Sequence, residues 1–144
     1  MSQYSRVIFG VVKFKENKLI QMDEENEPLI IDIGSGNLKA GFASDDQPKH
    51  WIPMVIGKPI SKGALVGMDQ KDCYIGNEVA SKKNVLSIEH PVKEGLIKDM
   101  DGICEILSHL YNNDLRRTPE DHKLLITEPP NNDNKIREEL VKRL

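Results

Sequence analysis

The hydrophobic pattern along the chain becomes clear at the run Leu29-Ile30-Ile31. A continuous run of this kind predicts a short strand that is buried on both faces of a sheet. Gly34-Ser35-Gly36 then provides a turn, and residues 38–43 predict a second strand. Residues 51–56 predict a third strand, in which Pro53 favours a place at the edge of the sheet. The pattern therefore predicts an antiparallel meander with short connections.

Further along the chain the hydrophobic period changes to that of a helix. Asp99 is a candidate N-cap for a helix that ends at Asn112-Asn113. One apolar stripe with intervals of three and four residues is formed by Ile103, Ile106, Leu107, Leu110 and Tyr111. Residues 123–127 predict a fourth strand, and residues 132–144 predict a final amphipathic helix. The predicted class is α/β, with a four-strand sheet.

Other segments have a weaker pattern. Glycine recurs through residues 57–95, which predict an excursion from the main sheet, either a subdomain or a long functional loop. Residues 4–14 and 18–22 are compatible with a β-hairpin that turns at Glu16-Asn17. The acidic stretch at residues 23–27 is typical of a solvated linker.

Composition and charge exclude several classes of protein. A length of 144 residues suits one domain with one core. Twenty basic and 23 acidic residues are interspersed, which argues against a nucleic-acid-binding surface. No apolar run approaches the roughly 20 residues that a membrane span requires. Cys73 and Cys104 show no disulfide or zinc pattern, and the four histidines lack metal-ligand spacing. We therefore expect a soluble, intracellular protein without a nucleic-acid or membrane partner.

Candidate chemistry is concentrated where the first predicted strand ends, at Asp32-Ile33-Gly34-Ser35-Gly36-Asn37-Leu38-Lys39. The strand delivers a carboxylate, the glycines let backbone N–H groups approach an anion, and a hydroxyl and an ammonium follow. Oriented N–H donors and a cation are what phosphate binding requires. The stretch matches neither the Walker loop nor the dinucleotide fingerprint. An ordinary hairpin turn stabilised by a serine explains the same residues, so both interpretations stay open on local grounds.

Five segments of the chain, at residues 32–48, 67–76, 90–95, 111–116 and 124–129, together resemble the actin family in order and spacing. The phosphate loop alone is also compatible with sugar kinases and heat-shock ATPases.

The resemblance implies a ribonuclease-H-like, actin-type ATPase-domain fold that is incomplete here. Residues 28–56 and 96–144 would form part of subdomain 1, and residues 57–95 would form the inserted subdomain 2. Residues 1–27 would be an N-terminal extension.

The resemblance also implies an ATP or ADP site with Mg²⁺. Asp32 corresponds to the acidic residue that holds the cation through water, and Mg²⁺ keeps several of its waters in such sites. The residues that correspond to phosphate contacts of the family are Gly34, Ser35, Gly36, Leu38 and Lys39. Two departures favour a divergent actin-related protein. Ile33 replaces a polar residue, and Glu94 stands where conventional actins carry a histidine near the phosphate exit, so its carboxylate would repel departing phosphate or pair with a lysine.

The matched motifs cover part of the first half of a fold that clamps nucleotide between two halves. Hydrolysis depends on groups that approach the phosphate from several sides. The family's second phosphate loop, its water-positioning glutamine and its adenosine pocket are not among the matched residues. We therefore expect a weak nucleotide site and no ATPase activity, unless a longer chain or a second polypeptide completes the site.

The resemblance implies partners as well. Residues 61–68 resemble the actin loop that inserts into an apolar cleft of a neighbouring protomer. Its inserted side chains would be Ala64, Leu65, Val66 and Met68, and the alternative is a mobile surface loop. The acidic stretch at residues 23–27 resembles the acidic terminus that actins offer to motor proteins.

The implied function is that of an actin-like structural subunit in a cytoskeletal or motor-associated assembly. Its partners would be actin-family or other assembly subunits, including a chain that completes the fold. One alternative is the N-terminal part of a full-length actin-related ATPase, and another is a partner-bound adaptor that acts through residues 1–27. The expected location is the cytoplasm and cytoskeleton, with the cilium or axoneme and the nucleus as alternatives.

Overall fold

The computed structural model describes residues 7–9, 27–61, 71–130 and 132–144. The strands in these ranges are β1 Val7–Phe9, β2 Leu29–Ile33, β3 Asn37–Phe42, β4 His50–Pro53, β5 Ile56–Pro59, β6 Tyr74–Ile75, β7 Leu86–Glu89, β8 Val92–Lys93, β9 Leu96–Ile97 and β10 Leu124–Glu128. The α-helices are α1 Asn77–Ala80, α2 Met100–His109 and α3 Asn134–Arg143. No helix of the described ranges is long and apolar enough to cross a bilayer.

The main sheet has the strand order β1-β10-β2-β3-β4. Strands β2, β3 and β4 form the predicted antiparallel meander. Strand β10 runs parallel to β2, with Leu124 opposite Leu29 and Thr127 opposite Asp32. Because the carboxyl ends of parallel strands meet at one edge of a sheet, Asp32 and Thr127 lie side by side.

The main sheet has a fifth strand, so the predicted four-strand sheet is wrong in this respect. Strand β1 pairs antiparallel with β10, with Val7 opposite Glu128 and Phe9 opposite Ile126. The sequence places Val7–Phe9 in the first arm of a hairpin, and the predicted return arm at residues 18–22 lies outside the described residues. The edge of β10 offers a row of backbone N–H and C=O groups, and pairing with β1 satisfies them.

The predicted third strand, residues 51–56, is divided between two sheets. Proline has no N–H for a sheet ladder, and β4 ends at Pro53. The N–H of Met54 then donates to the carbonyl of Gly36 at 2.9 Å, and β5 enters a second sheet of order β6-β5-β7. The predicted excursion therefore contains a sheet of its own. The assignment of the chain to family subdomains stays a prediction.

The core lies on one face of the main sheet, against α2. Central residues of this core are Leu29 and Ile31 of β2, Ile126 of β10, and Ile103 and Ile106 of α2. The opposite face is less covered, because Ile30 is 38% exposed and Leu125 is only half-buried. Neighbouring side chains of a strand point to opposite faces. The prediction that residues 29–31 are buried on both faces is therefore wrong for Ile30.

The helices confirm some of the predicted boundaries and correct others. The side chain of Asp99 accepts a hydrogen bond from the N–H of Gly102 at 3.1 Å and caps α2 as predicted. The helix does not end at residues 112–113, since a π-helical segment continues it over Leu110–Leu115. It ends at Arg116, whose φ of 52° is left-handed.

Candidate functional site

Three polar residues lie in one row across the main sheet. Asp32 of β2 is opposite Lys39 of β3 on one side and opposite Thr127 of β10 on the other. Residues directly opposite each other place their side chains on the same face. The hydroxyl of Thr127 donates to Oδ1 of Asp32 at 2.5 Å, which limits rotation of the carboxylate. Thr127 was not a candidate from the sequence, because nothing local indicates that strands 95 residues apart are neighbours.

The turn after β2 is tied to the sheet by its backbone. The N–H of Gly34 donates to the carbonyl of Asn37 at 3.2 Å, and the carbonyl of Gly36 accepts from Met54. The residues that flank the turn, Ile33 and Leu38, are only 5% and 0% exposed and belong to the core. Leu38 therefore offers a ligand only its backbone, and Ile33, a departure from the family pattern, serves packing.

An open depression of about 420 Å³ lies at this turn. Its lining consists of Asp32, Gly34, Ser35, Gly36, Asn37 and Lys39. The structure thus brings together every candidate of the phosphate loop except Leu38, and adds Asn37. The volume is in the range of small-molecule sites. Because the depression is wide open to solvent, its lining residues lie on one side of the space that a ligand would occupy.

The turn also contacts a second turn far along the chain. The N–H of Gly95 donates to the hydroxyl oxygen of Ser35 at 2.7 Å. Glu94 and Gly95 connect β8 to β9, and their φ angles of 53° and 80° are those of a two-residue type I′ turn. Glu94 is exposed, and no ion pair joins it to a lysine within the part of the chain that the structure describes.

The cation of the candidate site has an aromatic neighbour. The Nζ atom of Lys39 lies over the ring of Trp51, 4.7 Å from the ring centroid. Trp51 is opposite Lys39 in the pairing of β3 with β4, and its Nε1–H donates to the carbonyl of Pro48 at 3.2 Å. The lysine that the sequence predicts as a phosphate contact thus has an aromatic partner in the structure.

The donor set fits a hydrated Mg²⁺ better than a directly bound metal. Within the described ranges, no three His, Cys, Asp or Glu side chains are grouped so that they could hold a metal ion. A single carboxylate, Asp32, borders the depression. Mg²⁺ is commonly bound by one or two carboxylates together with waters and substrate phosphates. Asp32 is therefore suited to a cation that a nucleotide brings with it.

Next to the site, an ion pair fastens α3 to the end of β10. The Nη2 atom of Arg137 lies 2.7 Å from Oε1 of Glu128, and its Nε donates to both carboxylate oxygens at 3.0 and 3.1 Å. The hydrogen bonds from Arg137 hold the pKa of Glu128 below its ordinary value, against the opposing effect of burial.

Two further candidates cannot be compared with the structure. Residues 62–70, which include Ala64, Leu65, Val66 and Met68, lie outside the described residues, as does most of the acidic stretch at residues 23–27. Their proposed roles in partner binding stay predictions.

Comparison with known protein families agrees with the resemblance noted in the sequence. Residues 23–143 match the family model described as actin. The match includes every residue that lines the depression, together with Trp51, Gly95 and Thr127. It covers most of the chain, so the chain belongs to the actin family.

Proposed function

We propose that this chain is an actin-like structural subunit of a cytoskeletal or motor-associated assembly in the cytoplasm. In this proposal the segment Asp32–Lys39 provides the first phosphate-binding part of an ATP or ADP site with Mg²⁺. The observation that carries the proposal is the depression, where a carboxylate, a glycine turn and a lysine meet within residues matched to actin. Actin-family proteins generally bind ATP or ADP with Mg²⁺, which supports the choice of ligand.

Each group of the depression has a role in this proposal. Asp32 accepts hydrogen bonds from the waters of Mg²⁺, and Thr127 restrains its carboxylate. The turn at Ser35 and Gly36 presents backbone N–H groups, which suit phosphate oxygens. Lys39 supplies a positive charge. When bound, Mg²⁺ neutralises part of the phosphate charge.

We further propose that these residues alone do not hydrolyse ATP. Hydrolysis needs a positioned water and charge stabilisation from several sides of the phosphate. The depression offers groups from one side. Activity therefore requires further residues, from a longer polypeptide or from a second chain, and the intact mass of the native polypeptide distinguishes these cases.

Isothermal titration of the 144-residue chain with Mg-ATP tests the nucleotide site. We expect a Kd on the order of millimolar, equivalent to about 4 kcal/mol, because the ligand is contacted from one side. Asp32→Asn should weaken binding of Mg-ATP but not of ATP in EDTA, since the carboxylate acts on the hydrated cation. Asp46→Asn, at an exposed turn, is the control and should bind as wild type. Submicromolar affinity of the monomeric chain would contradict the proposal.

Assembly is tested through the loop at residues 61–68. Burying Leu65 and Val66 contributes roughly 1.5–3 kcal/mol for each side chain. Ordering the loop costs about 1–2 kcal/mol per fixed residue, so the loop adjusts affinity rather than creating it.

Replacing Leu65 and Val66 by Ser should weaken binding to an actin-family partner roughly tenfold and leave the circular dichroism unchanged. Lys83→Ser, in an exposed turn, is the control. Equal capture of every partner by the double variant and wild type would mean that the loop makes no such contact.

A further inference from the structure

We infer that Trp51 is a positioning residue that holds the ammonium of Lys39 away from the phosphate loop until a ligand draws it off the ring. The inference rests on the proposed function, because it concerns the same depression. It assigns a role in ligand binding to a residue outside the phosphate-loop motif.

The row of residues across the main sheet defines two neighbours for Lys39. Lys39 is opposite Asp32 in the pairing of β3 with β2, and it is opposite Trp51 in the pairing of β3 with β4. The Nζ atom lies 4.7 Å from the centroid of the Trp51 ring, within the distance of about 6 Å typical of cation–π contacts. In the free protein the charge is thus held on the side of the outer strand.

The depression borders Lys39 but not Trp51. Asp32 and the turn residues line it together with Lys39, whereas Trp51 does not. Lys39 therefore borders the depression while its Nζ atom lies over the ring of Trp51. In this proposal the ammonium leaves the ring when a phosphate oxygen in the depression attracts it.

The indole is fixed in the orientation that the contact requires. Its Nε1–H donates to the carbonyl of Pro48, while 54% of the residue remains exposed. A tryptophan that only filled the core would be more fully buried, and an aliphatic residue at the same position would offer no π-face to a cation. The side chain thus has both the chemistry and the restraint needed to hold Lys39.

Competition between the ring and the phosphate sets the sign of the effect. In this proposal a bound phosphate replaces the cation–π contact, so Trp51 lowers the affinity of the depression. The strength typical of exposed contacts of this kind corresponds to about a twofold to fivefold change in Kd. Trp51→Leu should therefore bind Mg-ATP about twofold to fivefold more tightly, and Trp51→Phe should lie between the two.

An NMR titration of the full 144-residue chain with Mg-ATP tests both the contact and its consequence. In wild type, the ring current of the indole should shift the Hε resonances of Lys39 upfield, and Mg-ATP should remove that shift. Trp51→Leu should lack the shift from the start and give the lower Kd. Ile88→Ala changes an exposed apolar residue on β7 of the other sheet and should leave both readouts as in wild type.

Each other outcome has a defined meaning. If Mg-ATP binds but the upfield shift persists at saturation, or Trp51→Leu binds no more tightly than wild type, the positioning role is wrong and the proposed site stands. If neither wild type nor Trp51→Leu binds Mg-ATP, the proposed function fails and the inference fails with it. Trp51→Phe keeps an aromatic ring, so it decides the same question if the leucine variant does not fold.

Discussion

Hydrogen bonds of side chains hold the candidate site and its surroundings to other elements of the fold. Thr127 is bonded to Asp32, and Gly95 is bonded to Ser35 across 60 residues of sequence. Glu128 is bonded to Arg137, which fastens α3 beside the same strand end. Because each contact joins two elements, a change of one atom type at these residues tests how the site is assembled.

Thr127→Val replaces the hydroxyl that donates to Asp32 with a methyl group of similar size. We expect a threefold to tenfold weaker affinity for Mg-ATP, about 0.7–1.4 kcal/mol, because the carboxylate loses the bond that limits its rotation. Calorimetric titration of each variant with Mg-ATP measures this change in affinity. Thr127→Ser keeps the hydroxyl and should restore most of the affinity, and a valine variant that binds like wild type would show that the bond is irrelevant to the ligand.

The ion pair of Glu128 with Arg137 predicts a pH dependence of stability. Arg137 lowers the pKa of Glu128 in the folded protein below its ordinary value of 4.5. A carboxyl group with a lowered pKa stabilises the fold above its ordinary pKa, and this contribution is lost as the pH falls through the folded pKa.

Glu128→Gln should therefore lower the free energy of unfolding at pH 7 by about 1–3 kcal/mol, and its stability should fall less steeply below pH 4.5. Urea denaturation at pH 7 and at lower pH measures both effects. Glu138→Gln, at an exposed position of α3, should reproduce the wild-type profile. Parallel profiles for wild type and Glu128→Gln would count against the role of the pair.

At the scale of the elements, α2 lies close to the second sheet at Gly102. A Cβ atom there would lie 2.7 Å from Oδ2 of Asp99, 2.8 Å from Cδ1 of Ile56 and 3.0 Å from Cγ of Pro91. Asp99 is the N-cap of α2, and Ile56 begins β5. The glycine thus allows the helix start and the strand to pack without a side chain between them.

Gly102→Ala should destabilise the protein by about 1–3 kcal/mol, because the added methyl group overpacks this contact. Denaturation in urea measures the change in the free energy of unfolding. Gly36→Ala is the matched control, since a Cβ atom there meets nothing within 4 Å. If the two alanine variants were equally stable, the close approach of α2 would not be a constraint on the fold.

The elements also show how far sequence reasoning reaches. Local signals sufficed for the meander, for the cap at Asp99 and for most of the depression, because Asp32 to Lys39 form one contiguous stretch. The sequence did not predict pairing between distant segments, because no local pattern indicates that β1 pairs with β10. For the same reason local patterns did not predict the bond of Thr127 to Asp32 or that of Gly95 to Ser35, although the family resemblance had placed Glu94 near the phosphate exit.

At the scale of the whole molecule, the two faces of the main sheet are covered unequally, and this affects how the protein behaves in solution. The face against α2 is filled by the core, whereas the opposite face exposes Ile30 and Trp51 and leaves Leu125 half-buried. Exposed apolar groups on one face mark a binding surface or a risk of aggregation.

The purified chain should therefore bind a hydrophobic dye or precipitate until its assembly partner is added. Ile30→Ser with Leu125→Ser should reduce dye binding, whereas Val141→Ser, an exposed apolar residue of α3, should change it less. Dye fluorescence and light scattering give the result. A soluble wild-type monomer with a sharp melting transition and no dye binding would contradict this prediction.

The pairing of β1 with β10 has a consequence for synthesis on the ribosome. Val7–Phe9 is made early, but its partner residues run from Ile126 to Glu128. At about 5–20 residues per second, the first strand waits roughly 6–24 s before its partner exists. The meander of β2, β3 and β4 is complete well before that, because its residues are close in sequence. Among the described strands, β1 therefore precedes the others in the chain but is among the last to be paired.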